Sequence, residues 1–304
     1  MFLKKTFTLV GLIALFLGLQ QLIEKKTHGF YLQKIFATDI PSSWQTLPPD
    51  ADVLKRLDQP YYFLGAGSEC FAFFSADGKS VIKFFKLDKL RPVYLLRGLF
   101  IEDHSDWAEE SSFSFVKRVL GMRAFRIQRT FNSLKLSHDY LKEETGILYL
   151  HLNLQNIVDK KFTLYDPCGI AHTIDLNQTH FYIQESATSL TEHLLSLKEK
   201  GEWEEACRSI DSLCALIVQR AKKGFADRDP RIKNFGFIGQ RALEIDTGSF
   251  IPAMQMKEPQ SCRQELFYAT RELDEWAQKN YPDLAIYLSL HLENLLKWYT
   301  LSNE

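Results

Sequence analysis

The sequence predicts an α+β chain of two lobes: a strand-rich first lobe with one long helix, then a mainly helical second lobe with a short strand pair. Three observations predict it. Between Tyr61 and Phe85, short apolar runs are separated by glycine-bearing turns. From Ser111 to Glu144 a single stretch reads as helix, with Gly121 its one weak point. After "QESATSL" the pattern turns helical and stays so, apart from one charged interval, to about Leu301.

The N-terminal "MFLKKTFTLVGLIALFLGLQQLIEKKTHGF" is uncharged from Thr6 to Ile23 and bounded by Lys4 and Lys5 on one side and Glu24, Lys25 and Lys26 on the other. That length is near the lower limit for a membrane span, and residues 1–29 are expected to be a membrane anchor. A signal peptide is the competing reading, but no small-x-small cleavage site follows. Flanking lysines on both sides leave the orientation open. Residues 30–60, with Pro41, Pro48 and Pro49, read as a linker.

The first lobe is expected over 61–186. Tyr61–Leu64 and Cys70–Ser75 flank the turn that contains Gly65 and Gly67, and Asp77-Gly78 leads to a third strand, Val81–Phe85. Further strands are expected at Ile147–Leu152, Phe162–Tyr165 and Phe181–Gln184, with a turn at Asp166–Gly169. The cations of the long stretch (Lys117, Arg118, Arg123, Arg126, Arg129 and Lys135) read as a solvated helix face. The second lobe is expected over 187–304, its joint with the first falling near Gln184–Ser189. Ser189 with Glu192 forms a capping-box pattern, Gly201 ends that helix, and Glu202–Lys223 resumes it.

Composition narrows the function. The chain has 304 residues, 45% hydrophobic and 13% aromatic, enough for a full core. A net charge of -1 provides no global field to draw in nucleic acid, so none is expected as a partner. Five cysteines, odd in number and widely spaced, fit free thiols in a reducing compartment better than a disulfide framework or a zinc site.

The chemistry concentrates in a few residues. Gly65 and Gly67 allow backbone to approach a phosphate closely. Lys83 lies in the apolar strand after that hairpin, beside Val81 and Ile82. "GFADRDPRIKNFGFIGQRALEIDTGSF" places Asp229 and Asn234 five apart and Asp246 twelve residues further on. The intervening "FGFI" and "ALEI" can form a hairpin that brings Asn234 and Asp246 together. Their hard oxygens suit Mg²⁺. Asp229 projects from the loop just before, and Arg231 stands two residues after it.

Taken in order, "GAGSECF", "VIK", "DRDPRIKN" and "IDTG" resemble the protein-kinase-like family over about Tyr61 to Phe250. The resemblance implies a two-lobed fold with an antiparallel N-lobe sheet and an ATP-dependent phosphotransferase activity. Gly65, Gly67, Phe71, Lys83, Gln184 and Glu185 would bind ATP, with Gln184–Ser186 as the hinge that meets adenine. Lys83 would take the α- and β-phosphates, Asp229 would be the catalytic base, Arg231 would steady the transferred group, and Asn234 and Asp246 would hold magnesium. Cys70, Asp227 and Thr247 depart from the family pattern, and Glu143, Glu144 and Asp139 are the candidate partners of Lys83. The 56 residues after Gly248 leave no room for a long peptide-docking segment, so the C-lobe is similar to those of short bacterial small-molecule or lipopolysaccharide-sugar kinases. A cytoplasmic catalytic domain follows from the need for ATP, and the phosphate acceptor is open. The alternative is a pseudokinase, an ATP-binding or scaffolding module at the membrane.

Overall fold

A computed structural model describes residues 15, 16, 18–37, 47–87, 111–154 and 161–301, with backbone only at 111–124 and 296–301. The chain divides into two compact units, one of Met1–Arg123 with His151–Ile183, the other of Ala124–Leu150 with Gln184–Glu304. Residues 124–150, read from the sequence as first-lobe chain, therefore lie in the second unit.

In the first unit, helix α1 (Ala51–Leu57) starts at Asp50, whose carboxylate accepts from Val53 N at 2.8 Å. The strands are β1 (Tyr61–Ala66), β2 (Cys70–Ser75), β3 (Ser80–Phe85), β5 (Lys161–Tyr165) and β6 (Ala171–Asp175), with β4 (Ile147–His151) and β7 (Phe181–Glu185), of which 147–150 and 184–185 belong to the second unit. They form one sheet in the order β4-β7-β3-β2-β1-β5-β6, and the chain passes between units near the ends of β4 and β7. The sheet follows the expected hairpins: β1 pairs antiparallel with β2, and β2 with β3 across Asp77-Gly78, where Gly78 takes φ +69°. It is not purely antiparallel: inside the sheet β1 and β5 run parallel, and β6 pairs antiparallel outside β5. Strand β6 had not been expected, because His172, Thr173 and Asp175 break the apolar alternation. Asp166 makes its turn by accepting from Cys168 N and Ile170 N.

Alternation decides the core. Phe71 and Phe73 of β2 are fully buried while Ala72 and Phe74 face outward, and Phe73 packs edge-on against Phe84 at 5.8 Å.

The second unit contains the C-terminal part of helix α2 (Ser111–Tyr140), the short α3 (Lys142–Thr145), β8 (Thr188–Ser189), α4 (Leu190–Lys200) and α5 (Trp203–Lys222). Then come β9 (Phe225–Asp227), β10 (Phe235–Ile238), β11 (Arg241–Glu244), β12 (Phe250–Pro252), α6 (Pro259–Asn280) and α7 (Pro282–Leu301). Ser189 caps α4 as its pattern predicts, and Gly201 ends it in the left-handed region at φ +71°. Apolar stripes of α4, α5, α6 and α7 share one core, with Leu194, Ile210, Leu213, Ile217, Leu266 and Leu288 at its centre. The β10–β11 hairpin lies on this core through Phe235 and Phe237.

Among the described residues no helix is long and apolar enough to cross a membrane. Residues 18–26 are helical, and residues 1–14 of the expected anchor and 38–46 of the linker lie outside the described residues.

Candidate active site

The predicted β10–β11 hairpin forms, with Phe235 opposite Glu244 and Gly239 in its turn at φ +57°. Its consequence is the one the spacing implies. Asn234 O accepts from Ile245 N at 2.7 Å and from Asp246 N at 3.4 Å. Asn234 and Asp246 therefore stand side by side at the open end of the hairpin. Asn234 is buried, and its Nδ2 donates to Asp229 O at 2.8 Å. This fixes the backbone of the loop that carries Asp229. Arg231 N closes the same turn on Asp229 O at 2.8 Å, and Arg231 Nε pairs with Asp229 Oδ1 at 2.9 Å. Both of those side chains are more than half exposed.

A second group of bonds ties this loop to the segment after Asp246. Asp227 Oδ1 accepts from Asp229 N at 3.0 Å and from the Ser249 hydroxyl. Strand β9 pairs with β12, with Asp227 opposite Phe250. Ser133 of α2 donates to Thr247 O at 2.5 Å and accepts from Phe250 N at 2.8 Å. Thr247 is thus fully buried and held by its backbone, whereas Asp246 beside it faces solvent.

Behind the loops lies a buried charge network. The fully buried Arg220 of α5 forms ion pairs with Glu244 of β11 and Glu265 of α6, and Glu265 also accepts from Asp227 N at 3.0 Å. Burial pushes the Asp227 carboxyl above the usual carboxylate range, and the Arg220 guanidinium pulls it partly back. Glu272 of α6 accepts from Ile232 N at 3.0 Å. Sequence reasoning missed Ser133, Arg220, Glu265 and Glu272. One signal could have found Arg220: it falls in helical register with Leu213 and Ile217, on the apolar stripe, where a cation must have buried partners. Glu265 sits likewise in the stripe of Cys262, Leu266 and Ala269.

The donor set fits a magnesium ion. Asn234 spends its amide nitrogen on Asp229 O, which leaves Oδ1 as the amide oxygen that could ligate a cation, and among the described residues the exposed Asp246 carboxylate receives a long 3.4 Å contact from Gly248 N. Two oxygen ligands from protein, the remainder from phosphate and water, is how magnesium is held at phosphoryl-transfer sites. Among the described residues there is no group of three or more His, Cys, Asp and Glu side chains able to hold a metal by itself.

The other predicted residues lie as follows. Gly65 sits at a register shift between β1 and β2, and Gly67 N donates to Cys70 O at 2.9 Å in the turn. A Cβ at Gly65 would meet nothing within 4 Å, so no internal packing requires glycine there. Phe71 is buried beneath Lys86, whose Nζ stands 4.2 Å from its ring centroid. Lys83 Nζ lies 5.3 Å from the centroid of Tyr182. Gln184 is buried, its Nε2 donating to Thr145 O and Glu244 O, and Glu185 pairs with Arg241. These two side chains hold the second unit together, and Glu185 N is bonded to Gly146 O. Among the acids weighed as partners of Lys83, Glu144 is buried and pairs with Lys223 at 2.6 Å, while Asp139 pairs with Lys135 at 2.8 Å.

The described elements run as a glycine hairpin sheet followed by helices with a loop, hairpin and loop between them. No protein-family model matches the chain, and no curated protein matches it. It is similar to two solved structures of the bifunctional kinase-methyltransferase WbdD, one with the kinase inhibitor LY294002. Both are 17% identical, with TM-scores of 0.32 and 0.33, covering 75% and 77% of this chain and 43% and 45% of those chains. It is also similar to the complex of Rv3197 with erythromycin from Mycobacterium tuberculosis, 12% identical with a TM-score of 0.33, covering 73% of this chain and 60% of that one. The chain thus spans less than two thirds of the length of these solved chains.

Proposed function

We propose that this chain is a membrane-tethered, magnesium-dependent phosphotransferase that moves the γ-phosphoryl group of ATP to a hydroxyl acceptor. The observation that supports it is the joining of Asp229, Asn234 and Asp246 by Asn234, whose amide holds the Asp229 loop and whose carbonyl holds the Asp246 strand end.

The exposed Asp229 carboxylate accepts the proton of the acceptor hydroxyl while that oxygen attacks the γ-phosphorus. The bond from phosphorus to the β–γ bridging oxygen breaks, and ADP leaves with its electron pair. Arg231, now paired with Asp229, exchanges that carboxylate for phosphate oxygens, which offer the same planar fork a second acceptor. Asn234 and Asp246 would hold magnesium, which neutralises charge on the phosphate oxygens. Lys83 takes the α- and β-phosphates, and Gly65 and Gly67 let the turn backbone come close to them. The side chains of Gln184 and Glu185 are committed internally, so adenine would be met by backbone from Ser186 onward.

The test is full-length protein in detergent micelles with Mg²⁺ and γ-labelled ATP, compared with Asp246→Ala. We expect magnesium-dependent ATP binding and slow release of label, reduced at least about a hundredfold in the variant. Binding without release in the presence of candidate acceptors would make the chain an ATP-binding module. No binding to either protein would sink the reading.

A further inference from the structure

In the first unit, next to the helical residues 18–26, lies a cavity of about 350 Å³ lined by Glu24, Lys25, His28, Gly29, Lys34 and Lys86. Three lysines and a histidine face one carboxylate. Two of the ammonium groups are aimed at neutral acceptors at the rim: Lys34 Nζ donates to Gly29 O at 2.7 Å and Lys86 Nζ to Gly67 O at 2.5 Å. Gly29 takes φ +69°, and its missing side chain leaves the approach to Lys34 open. Immediately before this cavity, Leu15, Phe16, Leu19, Leu22 and Ile23 are each at least half exposed. An uncovered apolar stretch that ends within one residue of a basic cavity has the layout of a bilayer boundary, hydrocarbon on one side and headgroups on the other.

We propose that this cavity binds the phosphate of an anionic phospholipid headgroup. Charge complementarity selects the headgroup, and the apolar residues before Glu24 set its depth. A phosphate oxygen is a stronger acceptor for an ammonium than a peptide carbonyl. The bound headgroup therefore takes Lys86 from Gly67 O, and the Gly67–Cys70 turn loses a tether. Lys34 Nζ and Lys86 Nζ stand over the rings of Tyr31 and Phe71, 4.3 and 4.2 Å from the centroids, and both lysines line the cavity. The site stands without reference to ATP, and its test needs none.

Full-length protein is placed in nanodiscs of phosphatidylcholine alone, or with about a third phosphatidylglycerol, and hydrogen exchange is followed at the Gly67 and Lys86 amides. Those amides now donate to Cys70 O and Glu69 O. Exchange is expected to be faster on the anionic discs, and the difference to vanish in Lys25→Gln/Lys34→Gln. Each lysine near an anionic surface is worth roughly fivefold in affinity, so the double variant should need about 25-fold more anionic lipid. Thermal unfolding in micelles checks that the variant folds; should it not, Lys25→Gln alone is read for a partial loss. Equal exchange on both discs would overturn the proposal, as would a response that survives in the variants. The same response to inorganic phosphate on phosphatidylcholine discs would also overturn it, since the cavity would then be a general anion site.

Discussion

Arg220 and Asp227 set the terms at the scale of single residues. Arg220 is a fully buried cation shared by Glu244 and Glu265, and Asp227 is a third carboxyl beside it. Removing one partner of a buried pair strands the others, at about 3–5 kcal/mol. Arg220→Met is therefore expected to lower unfolding free energy by about that much in urea titration. A loss below about 1 kcal/mol would show that the carboxyls take up protons without cost. Asp227 has a distinct pH signature. Its folded pKa is raised, so the folded state holds the proton more tightly than the unfolded chain. The ionised carboxyl thus costs stability above the folded pKa, and that cost is relieved as pH falls toward about 4, the unfolded value. Asp227→Asn keeps an oxygen for Asp229 N and Ser249 but cannot titrate. The stability of the natural protein relative to Asp227→Asn should rise as pH drops from 7 toward 4.5, read from urea midpoints. A difference that stays flat with pH would count against the raised pKa.

At the scale of elements, the glycines separate packing from function. A Cβ on Gly236 of β10 would lie 2.8 Å from Thr188 O, a backbone atom of the paired strand β8. Gly236→Ala must spread that pair, and we expect a loss of about 1–3 kcal/mol in thermal or chemical unfolding. Gly65 has open space where its Cβ would be. Gly65→Ala should leave unfolding within about 1 kcal/mol of the natural protein and weaken ATP binding instead. Equal effects on ATP binding from the two substitutions would remove the glycine turn from the proposed site. The β10–β11 hairpin was legible in advance, since apolar strands about a Gly239-Gln240 turn leave little choice of partner. The β1–β5 parallel pairing was not legible, because nothing local to either strand encodes a partner about a hundred residues away.

For the whole molecule, the proposal demands a side of the membrane. ATP is cytosolic, so the apolar N-terminal stretch must leave the proposed catalytic residues on that side. Protease treatment of intact cells should leave residues 30–304 undigested, as followed by a C-terminal tag. Digestion without cell lysis would weigh heavily against phosphotransfer. The lipid site would add regulation at the same scale, since Lys86 joins the basic cavity to the glycine turn through one hydrogen bond.

By itself the sequence determined what is local or periodic. The Ser189 cap, the Gly201 stop, the Asp77-Gly78 turn and the β10–β11 hairpin follow from residue chemistry within a few positions. The hairpin alone carries Asn234 to Asp246, so that juxtaposition was legible too. Tertiary structure decided what depends on distant chain. It placed residues 124–150 with the second unit, gave Ser133 its bonds to Thr247 and Phe250, and set Glu265 under Asp227. Such contacts join residues up to 117 positions apart. Their cause is the demand that every buried donor and charge find a partner, and only the folded chain determines which groups are buried and which partner is near.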